Sequence, residues 1–504
     1  MHPLAQLDHA HVWHPFTQMR DWLKREPIVI QSGRGAVLRD VRGREYLDAN
    51  ASIWTNLHGH NHPKINQAIH RQLKKIAHSS ALGFANEPAS LLAAKLVKAA
   101  SICDLRFAIY DSKGKRGRKS NIVNRKLQKA FFSDDGSTAL EVALKLAYEY
   151  TRRTRGWSSR LSVSPNRLKP ELQPKFLSLD GAYHGDTIGA VSLGHIDLFH
   201  KAYRGLLFKT DKVPSPYCYR CPFNRAKPER DDARNYRKCD WECVGKFEQT
   251  FSARKKKGNP YAAFVFEPLI QGAAGMIPQP DGWLKQVTTI ARDHGALLIA
   301  DEVMTGFGRT GVGVQALAGP ESTLKRELQQ KRAPLFACQR ENVQPDFLCL
   351  AKGLTGGYLP MAATLTTQKV FDAFLGEYHE FKTFFHGHSY NGNQLGAAAA
   401  LASLEILHGK ESMRARQTLE TAMRDTLRPL WKLPNVGDIR QAGLVAGIEL
   451  VRDWKTRQPF ALRERAGIRV CEAMAKRGVL TRPIGNVIVL MPPYCTTPAQ
   501  LEKI

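Results

Sequence analysis

The sequence predicts an α/β protein built on a mainly parallel sheet, with a second, smaller domain. Two observations lead there. Three short apolar runs, Tyr261–Phe266, Ala296–Ala300 and Asp346–Leu350, have the length and composition of strands buried on both faces. The residues that close them are spaced for helical crossovers: 34 positions separate Glu267 from Asp301, and 51 separate Asp301 from Lys352. The longer interval holds a charged insertion near 315–335. With 504 residues the chain is long enough for a large core and two or more domains. The division read from the sequence is an N-terminal arm and part of the small domain at 1–75, a large domain at 76–395, and the rest of the small domain at 396–504.

In chain order, Trp13–Met19 is too rich in proline and aromatic rings to begin a regular helix. Pro27–Asp48 alternates apolar and polar residues around Gly33 and Gly43, as strands and turns do. A ring-dense loop follows, Ala51–Pro63, in which His58, His60 and His62 match no metal-ligand spacing. Pro63–Ala77 and Pro88–Ala100 read as amphipathic helices, the second opened by Asn86-Glu87-Pro88. Ala130–Ser133 is a short strand, followed by a tight turn and a helix to about Arg152. Phe176–Leu179 and Val487–Leu490 are further strands, and 395–407 is an alanine-rich helix.

The ends of these strands carry the chemistry. Asp301 and Glu302 stand at the end of a buried strand, where open α/β sheets place ligands, although a solvated turn would read the same way. A lysine at a buried strand end, as Lys352 is, loses its proton readily and becomes a usable nucleophile. An acid and a lysine so placed are the minimum equipment for pyridoxal phosphate, the lysine holding its aldehyde and the acid its ring nitrogen. Gly136 and Ser137 open a helix and form either a phosphate seat or an ordinary N-cap. Tyr183 and His184, between Gly181 and Gly185, either stack on a flat cofactor or pack into the core. Arg482 is either a fork for a carboxylate or a surface arginine.

Composition excludes some classes and leaves others open. The net charge of +28 is concentrated: Lys113–Lys129 holds eight basic residues and no acid, and Arg152–Lys175 holds seven against Glu171 alone. Such segments bind polyanions or are solvated insertions on an ordinary enzyme; the second is preferred, since Lys113–Lys129 lacks the interleaved aromatics of a nucleic-acid platform. No apolar run reaches the roughly 18 residues of a membrane helix, and the N-terminus lacks the apolar core of a signal peptide, so a cytoplasmic location is expected. Cys218, Cys221, Cys239 and Cys243, in a loop at 213–243, have the CxxC…CxxxC spacing of a metal site or are simply reduced thiols. No catalytic role requires them, and no metal is expected.

With these residues in view, the chain resembles the class III, fold-type I pyridoxal phosphate aminotransferases. The resemblance runs from Trp13 to Tyr494 and rests on ADEVMTGFGRTG with Lys352 downstream, and on GAYHGDT. More narrowly, WHPFTQM, HGHNHP, FHGHSYNGN and TRPIGNVIVLMPPY are similar to the 8-amino-7-oxononanoate aminotransferases of biotin synthesis, which make 7,8-diaminononanoate. The resemblance implies a seven-stranded sheet flanked by helices and a small α/β domain made from both chain ends. It implies Lys352 as Schiff-base lysine and general base, Asp301 on the pyridine nitrogen and Tyr183 over the ring. Glu267 and His184 lie beside the cofactor on the same reading.

By the same carry-over, Gly136 and Ser137 seat the phosphate, helped by His388 and Ser389 from the partner of a homodimer. Phe16, Ile53, Trp54 and Gly387 line the substrate space, with Arg309 on the substrate side and Arg482 on the substrate carboxylate. The chain departs from the pattern where many S-adenosylmethionine-using members have a tyrosine at Phe16 and a tryptophan at Ile53. Phe16 cannot donate a hydrogen bond and Ile53 has no aromatic face, which leaves the donor open between S-adenosylmethionine and lysine. A related ω-amino acid:pyruvate aminotransferase is the near alternative. A polyanion- and metal-binding non-enzyme is the distant one. The family pattern also continues through a last helix beyond Ile504.

Overall fold

The computed structural model describes residues 1–101, 125–155, 174–311 and 334–504. Most of the insertions at 112–129, 152–175 and 315–335 therefore lies outside the described residues. Their described margins belong to the fold itself. Leu127–Lys129 is already strand, with Leu127 buried, and Arg152 and Arg153 finish a helix on which both bond Glu149. Lys175 opens the next strand, so three of the insertion boundaries drawn from charge alone ran too far.

The chain begins with α1 (Pro3–His11), capped by the His2 ring, which accepts from the Leu4 N–H at 3.2 Å. This helix is missing from the sequence reading because Ala5 is its only buried residue, so no apolar stripe marks it. Strands β1 (Ile30–Arg34), β2 (Val37–Asp40) and β3 (Glu45–Asp48) form an antiparallel meander. Helices α2 (Pro63–Leu73) and α3 (Glu87–Ala100) follow. The first stops short of the expected Ala77 because the Gln72 amide donates to Ile76 O at 2.9 Å and closes the turn.

The large sheet and its helices come next: β4 (Leu127–Ser133), α4 (Gly136–Thr154), β5 (Lys175–Leu179), β6 (Asp211–Val213), α5 (Glu242–Lys256), β7 (Tyr261–Phe266), α6 (Trp283–Asp293), β8 (Leu297–Asp301), β9 (Phe347–Leu350) and β10 (Ala362–Thr367). The seven strands lie in the order β4–β10–β9–β8–β7–β5–β6, and β10 alone among them runs against its neighbours. β7 and β9 are buried along their whole length, which is why they read as apolar runs, whereas β10, equally buried, holds three threonines and gives no such signal. Register aligns the strand ends. Ala300 pairs with Phe266 on one side and Leu348 on the other, so Glu267, Asp301 and the segment after β9 emerge along one edge.

The C-terminal part holds α7 (Gln394–His408), α8 (Lys410–Leu427), β11 (Val436–Ala442), β12 (Val445–Asp453), α9 (Ala466–Lys476), β13 (Val479–Leu480), β14 (Pro483–Ile484), β15 (Val487–Leu490) and α10 (Pro498–Lys503). β11, β12, β15 and β14 make a second sheet, and β13 pairs in parallel with β3 to complete the N-terminal meander. Both chain ends thus build the small α/β part. Among the described residues no helix is long and apolar enough to cross a membrane.

Candidate active site

A cavity of about 450 Å³ opens at the edge where the parallel strands end. Trp54, Ser137, Tyr183, Glu267, Asp301 and Lys352 all line it, each from a different segment. Close packing of three loops brings them together. A Cβ on Gly136 would collide with Val303, and one on Gly185 with Ser137, so glycine at both places lets the helix start, the GAYHGDT turn and the loop after Asp301 touch. Asp135 caps α4 by accepting from the Thr138 N–H at 2.9 Å, and Ser137 Oγ accepts from the Asp186 N–H at 2.9 Å. That contact uses a lone pair and leaves the Ser137 hydroxyl proton for a ligand.

Lys352 follows β9 in a left-handed conformation, φ +40°, unusual for a residue with a Cβ. Its Nζ lies 4.5 Å from the centroid of the Trp54 ring. Burial pulls its ammonium below the ordinary lysine value, opposed by the charges of Asp301 and Glu267. Trp54 is aimed by another strained segment, Ala51–Trp54, every residue of which has positive φ. Asp48 holds this segment by accepting from Ser52 N at 3.1 Å, Ser52 Oγ at 3.0 Å and His60 Nε2 at 2.9 Å. Burial alone would push the Asp48 carboxyl up; its bonds from His60 and Ser52 outweigh that and hold it low.

Asp301 Oδ2 accepts from Nδ1 of the fully buried His184 ring at 2.8 Å, and Oδ1 accepts from the Val303 N–H at 3.1 Å. The neighbouring Glu302 faces the other way. It accepts from the N–H groups of Ala337 and Cys338 at 2.6 and 2.8 Å, so one acid of the pair serves the cavity and the other the core. Tyr183 donates to Asp186 at 2.7 Å, and its ring meets Phe199 edge-on at 6.0 Å. Phe199 in turn meets Phe16 at 5.3 Å, and Arg482 Nη2 reaches the Phe16 carbonyl at 3.5 Å. An aromatic row thus links the cavity wall to an exposed guanidinium. Phe199 had no sequence signal, since its short segment matches no motif.

Glu267 accepts from the Gly272 N–H at 2.8 Å, while its other oxygen, buried, has no partner. Burial pushes its pKa up to about 7. A carboxyl raised on folding is favoured protonated, so the folded state loses stability as pH climbs from the ordinary glutamate range towards 7. Glu267→Gln is therefore expected to melt above the parent at about pH 8 and level with it at about pH 5, a difference on the order of 3 kcal/mol at the upper pH. Thermal melts at the two pH values check this, and an equal gap at both refutes it.

Other expected site residues lie elsewhere. His388 donates from Nδ1 to Asp134 of its own chain at 2.7 Å, at the cavity wall, and the Ser389 carbonyl accepts from His78. Gly387 and Ile53 are exposed and do not line the cavity. Arg309 is buried behind it, donating to Pro492 O at 2.6 Å. Among the described residues no three Cys, His, Asp or Glu side chains converge as metal ligands. Cys218, Cys221, Cys239 and Cys243 are free thiols there, with Arg237 donating to Cys239 Sγ at 3.1 Å. His58 and His60 are spent on Ser403 and Asp48.

The aminotransferase class-III family model matches residues 19–316 and 333–504, and the chain belongs to that family. It is 43% identical over 501 residues to the adenosylmethionine-8-amino-7-oxononanoate aminotransferase of Nitratidesulfovibrio vulgaris, covering 99% of this chain and 80% of that one. The enzyme of the same name from Geobacter sulfurreducens is 42% identical over 499 residues, 99% of this chain and 95% of that one. The crystal structure of the Methanocaldococcus jannaschii enzyme superposes with a TM-score of 0.79 at 36% identity, covering 99% and 96%. Pyridoxal 5′-phosphate is the cofactor of the class. The residues here fit it: a capped helix start with a hydroxyl proton to spare, a buried acid at a strand end, and a lysine whose charge burial disfavours.

Proposed function

We propose that this protein aminates 8-amino-7-oxononanoate to 7,8-diaminononanoate, the reaction named in its relatives. The observation that carries the reading is the convergence of Lys352, Asp301, Tyr183 and Trp54 on one cavity joined by aromatic rings to Arg482. A long keto acid fits that layout, its chain on the rings and its carboxylate on the guanidinium. Pyridoxal phosphate, when bound, supplies an aldehyde that takes up amines and a ring that withdraws electrons. Gly136 and Ser137 would hold the phosphate, helped by His388 and Ser389 from the second subunit of a homodimer, Asp301 the ring nitrogen, and Tyr183 one ring face. Lys352 would then take a proton from the amine-bearing carbon and return it, its lowered basicity suiting it to both directions.

The donor is an α-amino acid with a cationic distal group, S-adenosylmethionine or lysine. The relatives' names favour the first; Phe16, without a hydroxyl, removes a hydrogen bond the first would use. Purified protein is expected to form 7,8-diaminononanoate with one of the two added singly. Product from neither, with turnover of β-alanine and pyruvate instead, overturns the proposal. A homodimer is part of the reading. Leu82, Phe84, Phe385 and Tyr390 are 88, 72, 74 and 63% exposed, and His78 packs on Tyr390 to join their two segments into one apolar face. Sedimentation at the mass of a single chain would refute it. A cytoplasmic location is part of the same proposal.

A further inference from the structure

A hairpin beside the cavity ends against the second sheet, and one buried arginine joins the two. Its short strands, Ile270–Gln271 and Ile277–Pro278, pair antiparallel. At the tip Gly275 and Met276 both have positive φ, +112° and +55°, a strained conformation for the methionine. Their carbonyls turn onto Arg440 of β11. Nε donates to Gly275 O at 3.0 Å and to Met276 O at 2.9 Å, and Nη2 donates to Gly275 O at 2.6 Å. Nη1 serves two acids of the same sheet, Asp438 at 2.9 Å and Glu449 at 2.7 Å, which offset the buried charge. Opposite Arg440 on β12 stands Gly447, where a Cβ would lie 3.0 Å from Met276 Cβ, so the tip rests directly on the sheet.

The hairpin is also cavity wall. Ala273 lines the cavity, and the Gly272 N–H donates to Glu267, which lines it too. Met276 packs in one apolar cluster with Met304, and Trp54 lies against that cluster; Met304 and Trp54 both face the cavity. The sheet that grips the tip runs β11–β12–β15–β14, and Arg482 stands immediately before β14 at its other edge. Arginine suits the joint because its planar fork serves carbonyls and carboxylates at once, whereas an ammonium is a point charge.

We propose that Arg440 is a positioning residue for amino transfer. By holding the hairpin tip on the second sheet it fixes the cavity wall and, through that sheet, the reach from Lys352 to Arg482. The second part rests on the reading of Arg482 as the fork for the substrate carboxylate.

The test uses the full-length, cofactor-loaded protein. Arg440→Lys keeps a charge between the two acids and loses the fork. It is expected to raise KM for 8-amino-7-oxononanoate about tenfold, with kcat within about threefold of the parent. Gly447→Ala leaves Arg440 and both acids in place and lifts the tip. It is expected to move KM in the same direction, and it decides the matter if Arg440→Lys does not fold. Hydrogen–deuterium exchange without substrate is expected to quicken in peptides spanning 267–279 in both variants. Exchange there unchanged, with only a lower melting temperature, makes Arg440 merely structural and overturns the proposal. Quicker exchange with KM unmoved overturns its part in the reaction. Turnover of a different acceptor by the parent would overturn the proposed reaction and leave the exchange result standing.

Discussion

Lys352→Ala is expected to fold normally and lose amino transfer by at least about 10⁴-fold, the upper range for removing a positioned proton-transfer group. The loss has two independent sources in the structure. Lys352 is the amine that ends β9 at the cavity, so without it no side chain there can hold the cofactor's aldehyde covalently. It is also the base whose burial lowers its proton affinity, and the other groups nearby cannot replace it. Asp301 is engaged by His184, and Glu267 points one oxygen at Gly272. Stability should barely fall, because burial disfavours the lysine's charge and its contact with the Trp54 face is modest. Circular dichroism, the melting temperature and the visible absorbance of the cofactor-loaded protein check the two halves. An unchanged absorbance with activity within tenfold of the parent would contradict both.

The strand ends were legible because burial on both faces leaves an unbroken apolar run whose end is marked by the first charge. β7 begins and ends where the apolar pattern does, β8 is shifted by a single residue, and β9 starts one residue later and ends in the same place. What that pattern cannot encode is direction off the strand. Asp301 and Glu302 are adjacent and chemically alike, and only the packing of the segment at 337–338 turns one of them into the core. Arg309 shows the same limit from the other side. Its motif reads as a site, but its guanidinium lies behind the cavity against Tyr494, a residue nearly two hundred positions away. α1 escaped notice for the opposite reason, since a helix that buries one alanine leaves no periodic signal.

Asp301→Asn is the second large effect expected, a loss of about 10²–10³-fold, the size of removing one preorganised electrostatic partner. The substitution preserves shape but removes the negative charge that faces the cavity, and its single oxygen can accept from the Val303 N–H or from His184 but not from both. It also disturbs His184, whose Nδ1 now donates to a carboxylate and whose Nε2 is buried without a partner. An amide can present its oxygen to His184 and keep the ring in place, or present its NH₂ and force the other tautomer. In either orientation it no longer supplies the charge that holds a proton on a ring nitrogen. Lys352 feels the change as well: with the opposing charge of Asp301 gone, burial lowers its proton affinity further. The acidic limb of the pH–rate profile should therefore move to lower pH as the rate falls. A purely structural Asp301 would give a lower melting temperature with the profile unmoved. A displaced profile at a near-normal melting temperature is the outcome the geometry requires.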